Sequence, residues 1–337
     1  MPAFALPDGV PENRHRWACT MDDVAVSVIV PVYNRAEMIG AAITSALHAA
    51  PGVPIEVIVV DDASTDGTVA AVQAYPDPRV RLVQLGRNGG QSAARNHGLD
   101  VARGRAVKFL DSDDILLPGH LADEIRALDE GADIVVSGWC DGYADGRGVC
   151  FDPPLFTSII DDVLAGRAVP TSAALYRRRS EWRWDPDLRK LDDWDYFCQA
   201  ALGARRIVTV PGYAYVMQDH SGARATNTTM LLNAREHHRI LRKIEERLAR
   251  EGHLTPARQR RLAQYFYKEL RVLCVHDPPT FELALRHIEA LDPGFVPRDE
   301  ERQRFMRILT RFLGVRTALR LHTSLKRAAG RLIGRRV

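Results

Sequence analysis

Val26-Ser27-Val28-Ile29-Val30 is a nearly unbroken apolar run, the pattern of a strand covered on both faces as in a parallel sheet. It ends at Pro31-Val32-Tyr33-Asn34. Ile39, Ala42, Ile43, Ala46 and Leu47 follow at helical spacing, and Ile55 to Val60 predicts a second buried strand, so the segment reads as a βαβ unit. The second strand runs into Asp61-Asp62, and Ala63-Ser64-Thr65-Asp66-Gly67-Thr68 supplies turn and N-cap chemistry for another helix. Further on, Phe109-Leu110 leads straight into Asp111-Ser112-Asp113-Asp114. Carboxylates therefore recur at strand ends. Ligands of open α/β sheets bind in the crevice beyond those ends, so Tyr33, Asp62 and Asp113-Asp114 are expected to converge on one cleft.

Past residue 225 the pattern changes from α/β to helical alone. Ile240, Ile244 and Leu248 share a face, as do Leu262, Phe266 and Leu270, while Thr255-Pro256 and Thr280 are expected helix starts. From Arg302 to Val337 there are eleven Lys or Arg and no Asp or Glu; the total charge of +3 less these eleven leaves −8 on the rest. Phe305, Ile308, Leu309 and Phe312 form a helical apolar stripe with Arg304, Arg307 and Arg311 between. Such a helix suits an anionic membrane surface. Docking of the stripe on the rest of the chain competes with that reading, and nucleic acid is disfavoured because no stacking platform accompanies the charge. The resulting division is an N-terminal extension over 1–25, an α/β domain over 26–225, a helical extension over 226–300 and a basic amphipathic tail over 301–337.

Composition is ordinary for a globular chain, with 46% apolar and 26% charged residues among 337. No run approaches the roughly 18 consecutive apolar residues of a membrane span, and the first residues lack the apolar core of a signal peptide. A cytoplasmic location is the expectation, possible peripheral attachment through residues 302–337 included. The five cysteines, Cys19, Cys140, Cys150, Cys198 and Cys274, lack metal-ligand spacing and are expected to be reduced packing residues. Cys140 and Cys150 flank an expected hairpin turn at Asp145-Gly146, but a reducing compartment argues against a bridge there.

The acidic turn at 111–114 carries no basic residue to neutralise it. Hard carboxylate oxygens on a tight turn suit Mg²⁺ or Mn²⁺, which keep open positions for substrate phosphates. In isolation such residues cap helices, and it is their company that favours the metal.

Val28-Ile29-Val30-Pro31-Val32-Tyr33-Asn34, Asp61-Asp62-Ala63-Ser64-Thr65-Asp66, Gly90-Gln91-Ser92-Ala93-Ala94-Arg95-Asn96 and Leu110-Asp111-Ser112-Asp113-Asp114 resemble, in order, the motifs of family-2 glycosyltransferases. The resemblance covers roughly residues 26 to 220. It implies a GT-A fold, a Rossmann-like, mostly parallel sheet flanked by helices. It also implies a nucleotide-sugar donor, a divalent cation (Mn²⁺ or Mg²⁺) and inversion at the anomeric carbon.

Carried over by position, the resemblance assigns the metal to Asp114 and makes Asp113 a donor-binding neighbour, with Asp111 a turn residue. Leu191-Asp192-Asp193-Trp194 resembles the family's Glu-Asp segment, whose Asp is the general base, which maps to Asp193. Asp192 replaces the family's Glu, so the choice between the two carboxylates stays open. Pro31, Tyr33 and Asp62 are implied around the base of the nucleotide, where a carboxylate accepting from a ring N–H favours uracil. Asn88-Gly89-Gly90 permits close backbone approach to the donor, with Gly90 a donor-binding position, and Arg95-Asn96 on the following helix match positions near the donor, a surface ion pair being the other reading of Arg95. His220 lies where relatives carry a loop histidine over the diphosphate, and reads equally as a solvated loop residue. Trp182, Trp184 and Trp194 are sugar platforms or, as tryptophan more often is, core.

Other classes fit less well. A dinucleotide-dependent oxidoreductase needs G-x-G-x-x-G after the first strand, where this chain has Pro31-Val32-Tyr33-Asn34-Arg35-Ala36. Processive polysaccharide synthases of this kind bring membrane helices and a Gln-x-x-Arg-Trp segment, and neither is present. The expectation is single-sugar transfer, most simply from a UDP-sugar, onto a glycan or lipid-linked acceptor in cell-surface polysaccharide synthesis. A catalytically silent binding or assembly protein on the same fold is the competing reading.

Overall fold

The computed structural model describes residues 24–142, 148–218 and 230–296, with isolated positions at 314, 316–318 and 321. The basic stripe from Phe305 to Phe312, the loop carrying His220 and the turn at Asp145-Gly146 lie outside the described residues. Described residues fall into two compact units. The first comprises the chain as far as Ile159, Ala168–Leu188 and the stretch from Asp192 onward to 218; the second comprises Ile160–Arg167, Arg189–Leu191 and the helices from 230 on.

The first unit is built on strands β1 (Val26–Val32), β2 (Ile55–Asp61), β3 (Val80–Gln84), β4 (Ala106–Phe109), β5 (Ile115–Leu116), β6 (Ile134–Gly142), β7 (Gly148–Phe151), β8 (Ala174–Arg177) and β9 (Ile207–Gln218). They form one sheet in the order β3-β2-β1-β4-β8-β6-β9-β5, with β7 added on β6. Pairing from β3 to β4 is parallel, as the buried apolar runs imply, and every residue of β1 and β2 is buried. Beyond β4 the sheet is mixed, since β8 runs antiparallel to β4 and β6 while β9 runs parallel to β6.

Helices α1 (Ile39–His48), α2 (Thr68–Gln73), α3 (Gln91–Val101), α4 (His120–Asp129), α5 (Ile159–Val163) and α6 (Asp192–Gly203) punctuate the strands. The stripe Ile39, Ala42, Ile43, Ala46 and Leu47 is the buried face of α1. Gly98 lets α3 press on β1, because a Cβ there would collide with the Ile29 side chain. A buried ion pair sits under β4, where Lys108 Nζ donates to both oxygens of Glu124 at 2.8 Å and Ser137 Oγ donates to Glu124 Oε1 at 2.6 Å. Burying charge requires such saturation.

The second unit holds α7 (Met230–Arg250), α8 (Pro256–His276) and α9 (Pro278–Leu291). Both expected stripes are fully buried in it, Ile240, Ile244 and Leu248 on α7 and Leu262, Phe266 and Leu270 on α8. Thr255 caps α8 by accepting from Arg258 N, with Pro256 next. The start of α9 is two residues earlier than Thr280 suggested. Asp277 is the cap, accepting from both Thr280 N and Thr280 Oγ1, and Pro278 presets the first turn.

One expectation fails outright. Cys140 and Cys150 are joined by a disulfide, ten residues apart in sequence. They face each other as partners in the β6–β7 hairpin, a local register that the argument from compartment left out. Cys198 is buried and outside any disulfide, as expected for a packing residue.

Candidate active site

Three loops at the carboxyl ends of β1, β2 and β4 build the site. The first two are stitched to each other. Asn34, in a left-handed conformation (φ 52°), donates its N–H to Ser64 Oγ at 2.9 Å and accepts from Thr65 N on Oδ1 at 2.8 Å. Arg35 N donates to Thr68 Oγ1 at 2.9 Å, while Asp66 accepts from Thr68 N at 2.9 Å. Asn tolerates this backbone and can bond locally, which explains its place after Tyr33. Pro31 is buried beneath the loop, and the Tyr33 ring is 44% exposed at its tip.

Asp62 is buried, and its two oxygens accept from Gly89 N and Gly90 N, each at 2.8 Å. Its carboxylate thereby folds the glycine turn that opens α3. Gly90 has φ 85°, a conformation that favours glycine, and Ala94 N returns to the Gly90 carbonyl at 3.1 Å. Asp61, also buried, accepts from Ser64 N through Oδ2, and its Oδ1 has no donor among the described residues.

Arg95 comes next, one turn into α3. Its side chain is only 2% exposed and lies between two carboxylates: Nη2 donates to Asp111 Oδ1 at 2.6 Å and Nη1 to Asp192 Oδ2 at 3.1 Å. The guanidinium stacks over Trp184 at 4.2 Å. Burial opposes its charge, and the two carboxylates outweigh that, so its pKa is raised. Asp192 also accepts from Gln91 Nε2 and Ser92 Oγ. Asn96 clamps the segment beyond, donating through Nδ2 to the Trp184 carbonyl at 2.9 Å and accepting from Trp184 N at 3.0 Å.

These contacts divide the pair on α6. Asp192 is a buried anchor with its oxygens bonded to side chains of α3, whereas Asp193, partly exposed, accepts from the adjacent Trp194 N at 2.8 Å. Burial raises the Asp193 pKa, and the neighbouring Asp192 charge raises it further, while the Trp194 N–H and Arg95 oppose the shift. A carboxyl raised in this way is a better proton acceptor near neutrality than a solvated one.

On the turn after β4, Asp114 is buried and its N–H closes on the Asp111 carbonyl at 3.1 Å. Its Oδ1 accepts from Gln218 N at the end of β9. Asp113 is 3.8 Å from Arg35 Nε. No cluster of three or more potential metal-ligating side chains occurs among the described residues. Two adjacent carboxylates still fit Mg²⁺ or Mn²⁺, which take one or two protein carboxylates and complete their shell with phosphate oxygens and water.

Trp182, Trp184 and Trp194 are all buried, and Trp184 stacks on Tyr196 at 4.4 Å. They are core, where the aromatic network with Phe109 and Tyr176 holds the strand end beneath the site. Sequence reasoning passed over the anchoring roles of Gln91 and Ser92, whose polarity on an otherwise packed helix is the signal that could have found them, and read Asn96 near the donor where the structure has it bonded to the Trp184 backbone.

A mixed α/β sheet whose loops gather carboxylates, glycines and an exposed tyrosine at the carboxyl ends of parallel strands has its candidate ligand crevice there. Residues 27–183 match the family model described as glycosyl transferase family 2. The chain is 49% identical over 125 residues to the succinoglycan biosynthesis protein ExoO of Rhizobium meliloti, covering 37% of this chain and 36% of ExoO. It is 40% identical over 108 residues to the UDP-Glc:alpha-D-GlcNAc-diphosphoundecaprenol beta-1,3-glucosyltransferase WfgD of Escherichia coli, covering 32% and 42%. In both cases it spans less than half of the relative's length. The crystal structure of S. aureus TarS 1-349 in complex with UDP-GlcNAc superposes with a TM-score of 0.66 over 90% of this chain and 92% of that one, at 22% identity. The chain therefore shares the GT-A fold of that structure.

Proposed function

We propose that this chain is an inverting glycosyltransferase that moves one sugar from a UDP-sugar to a hydroxyl of a glycan or lipid-linked acceptor in polysaccharide synthesis. The observation that carries the reading is the division of labour on α6, where Asp192 is tied down by Gln91, Ser92 and Arg95 while Asp193 keeps a raised pKa beside it. The family match, and the sugar-nucleotide named for TarS and for WfgD, support the donor class.

Asp193 takes the proton of the acceptor hydroxyl. The freed oxygen forms a bond to the anomeric carbon as the bond from that carbon to the diphosphate breaks, and the electron pair leaves with the UDP. Asp193 must therefore stand on the face of the sugar opposite the diphosphate. Tyr33 offers its ring to the base, and Asp62 acts by holding the Gly89-Gly90 turn open for close backbone approach. Asp113 and Asp114 would hold Mg²⁺ or Mn²⁺, which when bound stabilises negative charge on the departing diphosphate. Arg95 is a positioning residue, since both arms of its guanidinium are committed to Asp111 and Asp192.

Calorimetric titration with UDP, GDP and CDP, each with and without Mn²⁺, tests the donor class. Metal-enhanced binding of UDP at least tenfold tighter than the other two is expected. Equal binding of all three, or none, contradicts the reading.

A further inference from the structure

The far end of the sheet carries a second aromatic surface that the donor site does not use. Cross-strand register places Leu116 of β5, Tyr215 of β9, Trp139 of β6 and Phe151 of β7 in one row, and Met217, Asp141 and Val149 in the next. Residues two apart on a strand share a face, so both rows lie on one side. The other side carries Val216 and the Cys140–Cys150 disulfide, which pins the hairpin and keeps Trp139 opposite Phe151.

That face begins at the acidic turn. β5 starts at the residue after Asp114, and Gln218 N, beside Met217, donates to Asp114 Oδ1. Tyr215 is buried and its phenol is held well above its ordinary pKa, first by burial and then by the charges of Asp114, Asp111, Asp141 and Asp193. At the other end the surface is open: Phe151 is 39% exposed, Val149 55% and Met217 37%. Trp139 and Phe151 stack at 5.4 Å with 21° between their planes.

The backbone is bent to present these rings. Register shifts on either side of Gly138 mark a bulge in β6, a device that re-aims the residues after it. A Cβ at Gly138 would lie 2.7 Å from the Phe151 carbonyl and 2.8 Å from that of Gly212, so the close approach requires glycine. Between the apolar side chains sits Asp141, whose buried Oδ1 has no donor among the described residues.

We infer that the paired strands β6 and β7 form an acceptor subsite, with Trp139 and Phe151 as a platform for a non-reacting pyranose ring and Asp141 as the acceptor of its hydroxyls. The inference rests on the transferase reading for the words donor and acceptor. A polyprenyl chain would cover the rings yet leave the Asp141 carboxylate desolvated without a donor, whereas a sugar offers an apolar C–H face and hydroxyls together. Three strand spacings separate β5 from β7, roughly 14 Å at about 4.8 Å each. The platform thus meets the glycan beyond its reacting residue, where remote binding energy can be used to position the hydroxyl at Asp193.

Saturation-transfer NMR on the full chain with saturating UDP, using methyl β-D-glucopyranoside, methyl β-D-galactopyranoside and cellobiose as probes, tests this. At least one probe should bind the native chain, and Phe151→Leu and Asp141→Asn should each weaken it fivefold or more, with melting temperature and UDP affinity of Phe151→Leu unchanged. Phe151→Leu keeps an apolar surface, so farnesyl phosphate binding that survives it while no pyranoside binds would overturn the proposal in favour of a lipid site. Equal pyranoside binding by native and variant chains would overturn it too. Pyranoside binding by a chain that binds no nucleotide would instead remove the transferase reading and leave the platform standing.

Discussion

Arg95 Nη1 lies 3.1 Å from Asp192 Oδ2, inside a side chain that is otherwise sealed from solvent. The contact joins the helix after the glycine turn to the helix that carries Asp193, and the second arm of the same guanidinium reaches Asp111. A planar fork can serve both carboxylates at once, and an ammonium cannot. Arg95→Lys is expected to lower kcat by about tenfold or more with a smaller change in donor affinity. Arg95→Met, which leaves the buried Asp192 carboxylate without its cation, should also cost about 3–5 kcal/mol of stability by denaturant titration.

Asp193, as the proposed base, is expected to set the acidic limb of the pH profile. The base works deprotonated, so kcat/KM falls as pH drops through its pKa, and the raised value puts that fall at higher pH than for an ordinary carboxylate. Asp192→Asn removes a neighbouring negative charge, so the limb should move to lower pH. A limb that stays in place would show that another group controls it.

Asp62 should matter to donor binding more than to chemistry. Asp62→Ala leaves the N–H groups of Gly89 and Gly90 without their acceptor, at about 0.5–1.5 kcal/mol for each hydrogen bond lost. UDP affinity is expected to fall tenfold or more by calorimetry, with a smaller effect on kcat.

The helical unit should be acid-sensitive. Burial lowers the pKa values of His237 and His238 to about 4, so the unfolded chain binds protons that the folded one refuses. Stability from these groups is complete above the unfolded value of about 6.5 and is lost as pH falls from there toward 4. Melting temperature should drop across that window, and less so in His238→Gln.

Reduction of the Cys140–Cys150 bridge should loosen the hairpin. A loop of this size contributes about 2–3 kcal/mol through the unfolded chain. Cys140→Ser with Cys150→Ser is expected to lower the melting temperature by several degrees in non-reducing buffer and to make it insensitive to dithiothreitol.

Much of this was legible from local pattern. Continuous apolar runs gave β1 and β2, and the carboxylates at the end of β2 and after β4 mark two of the loops that carry the candidate site. What escaped was set by residues far apart in the chain. Arg95 read as a donor contact or a surface ion pair, because its partners Asp111 and Asp192 lie 16 and 97 positions away. The tryptophans near Asp193 were weighed as sugar platforms, yet they pack the core, whereas the stacking of half-buried Trp139 on exposed Phe151 is visible only once strand register is known. The disulfide escaped for the same reason.

The most direct test of the central claim is UDP formation from a panel of UDP-sugars with Mn²⁺ or Mg²⁺, comparing the native chain with Asp193→Asn, with UDP affinity measured on both. The account predicts release from one donor, lowered about 10²–10⁴-fold by Asp193→Asn while UDP affinity is retained. Equal release by the native chain and Asp193→Asn would contradict it.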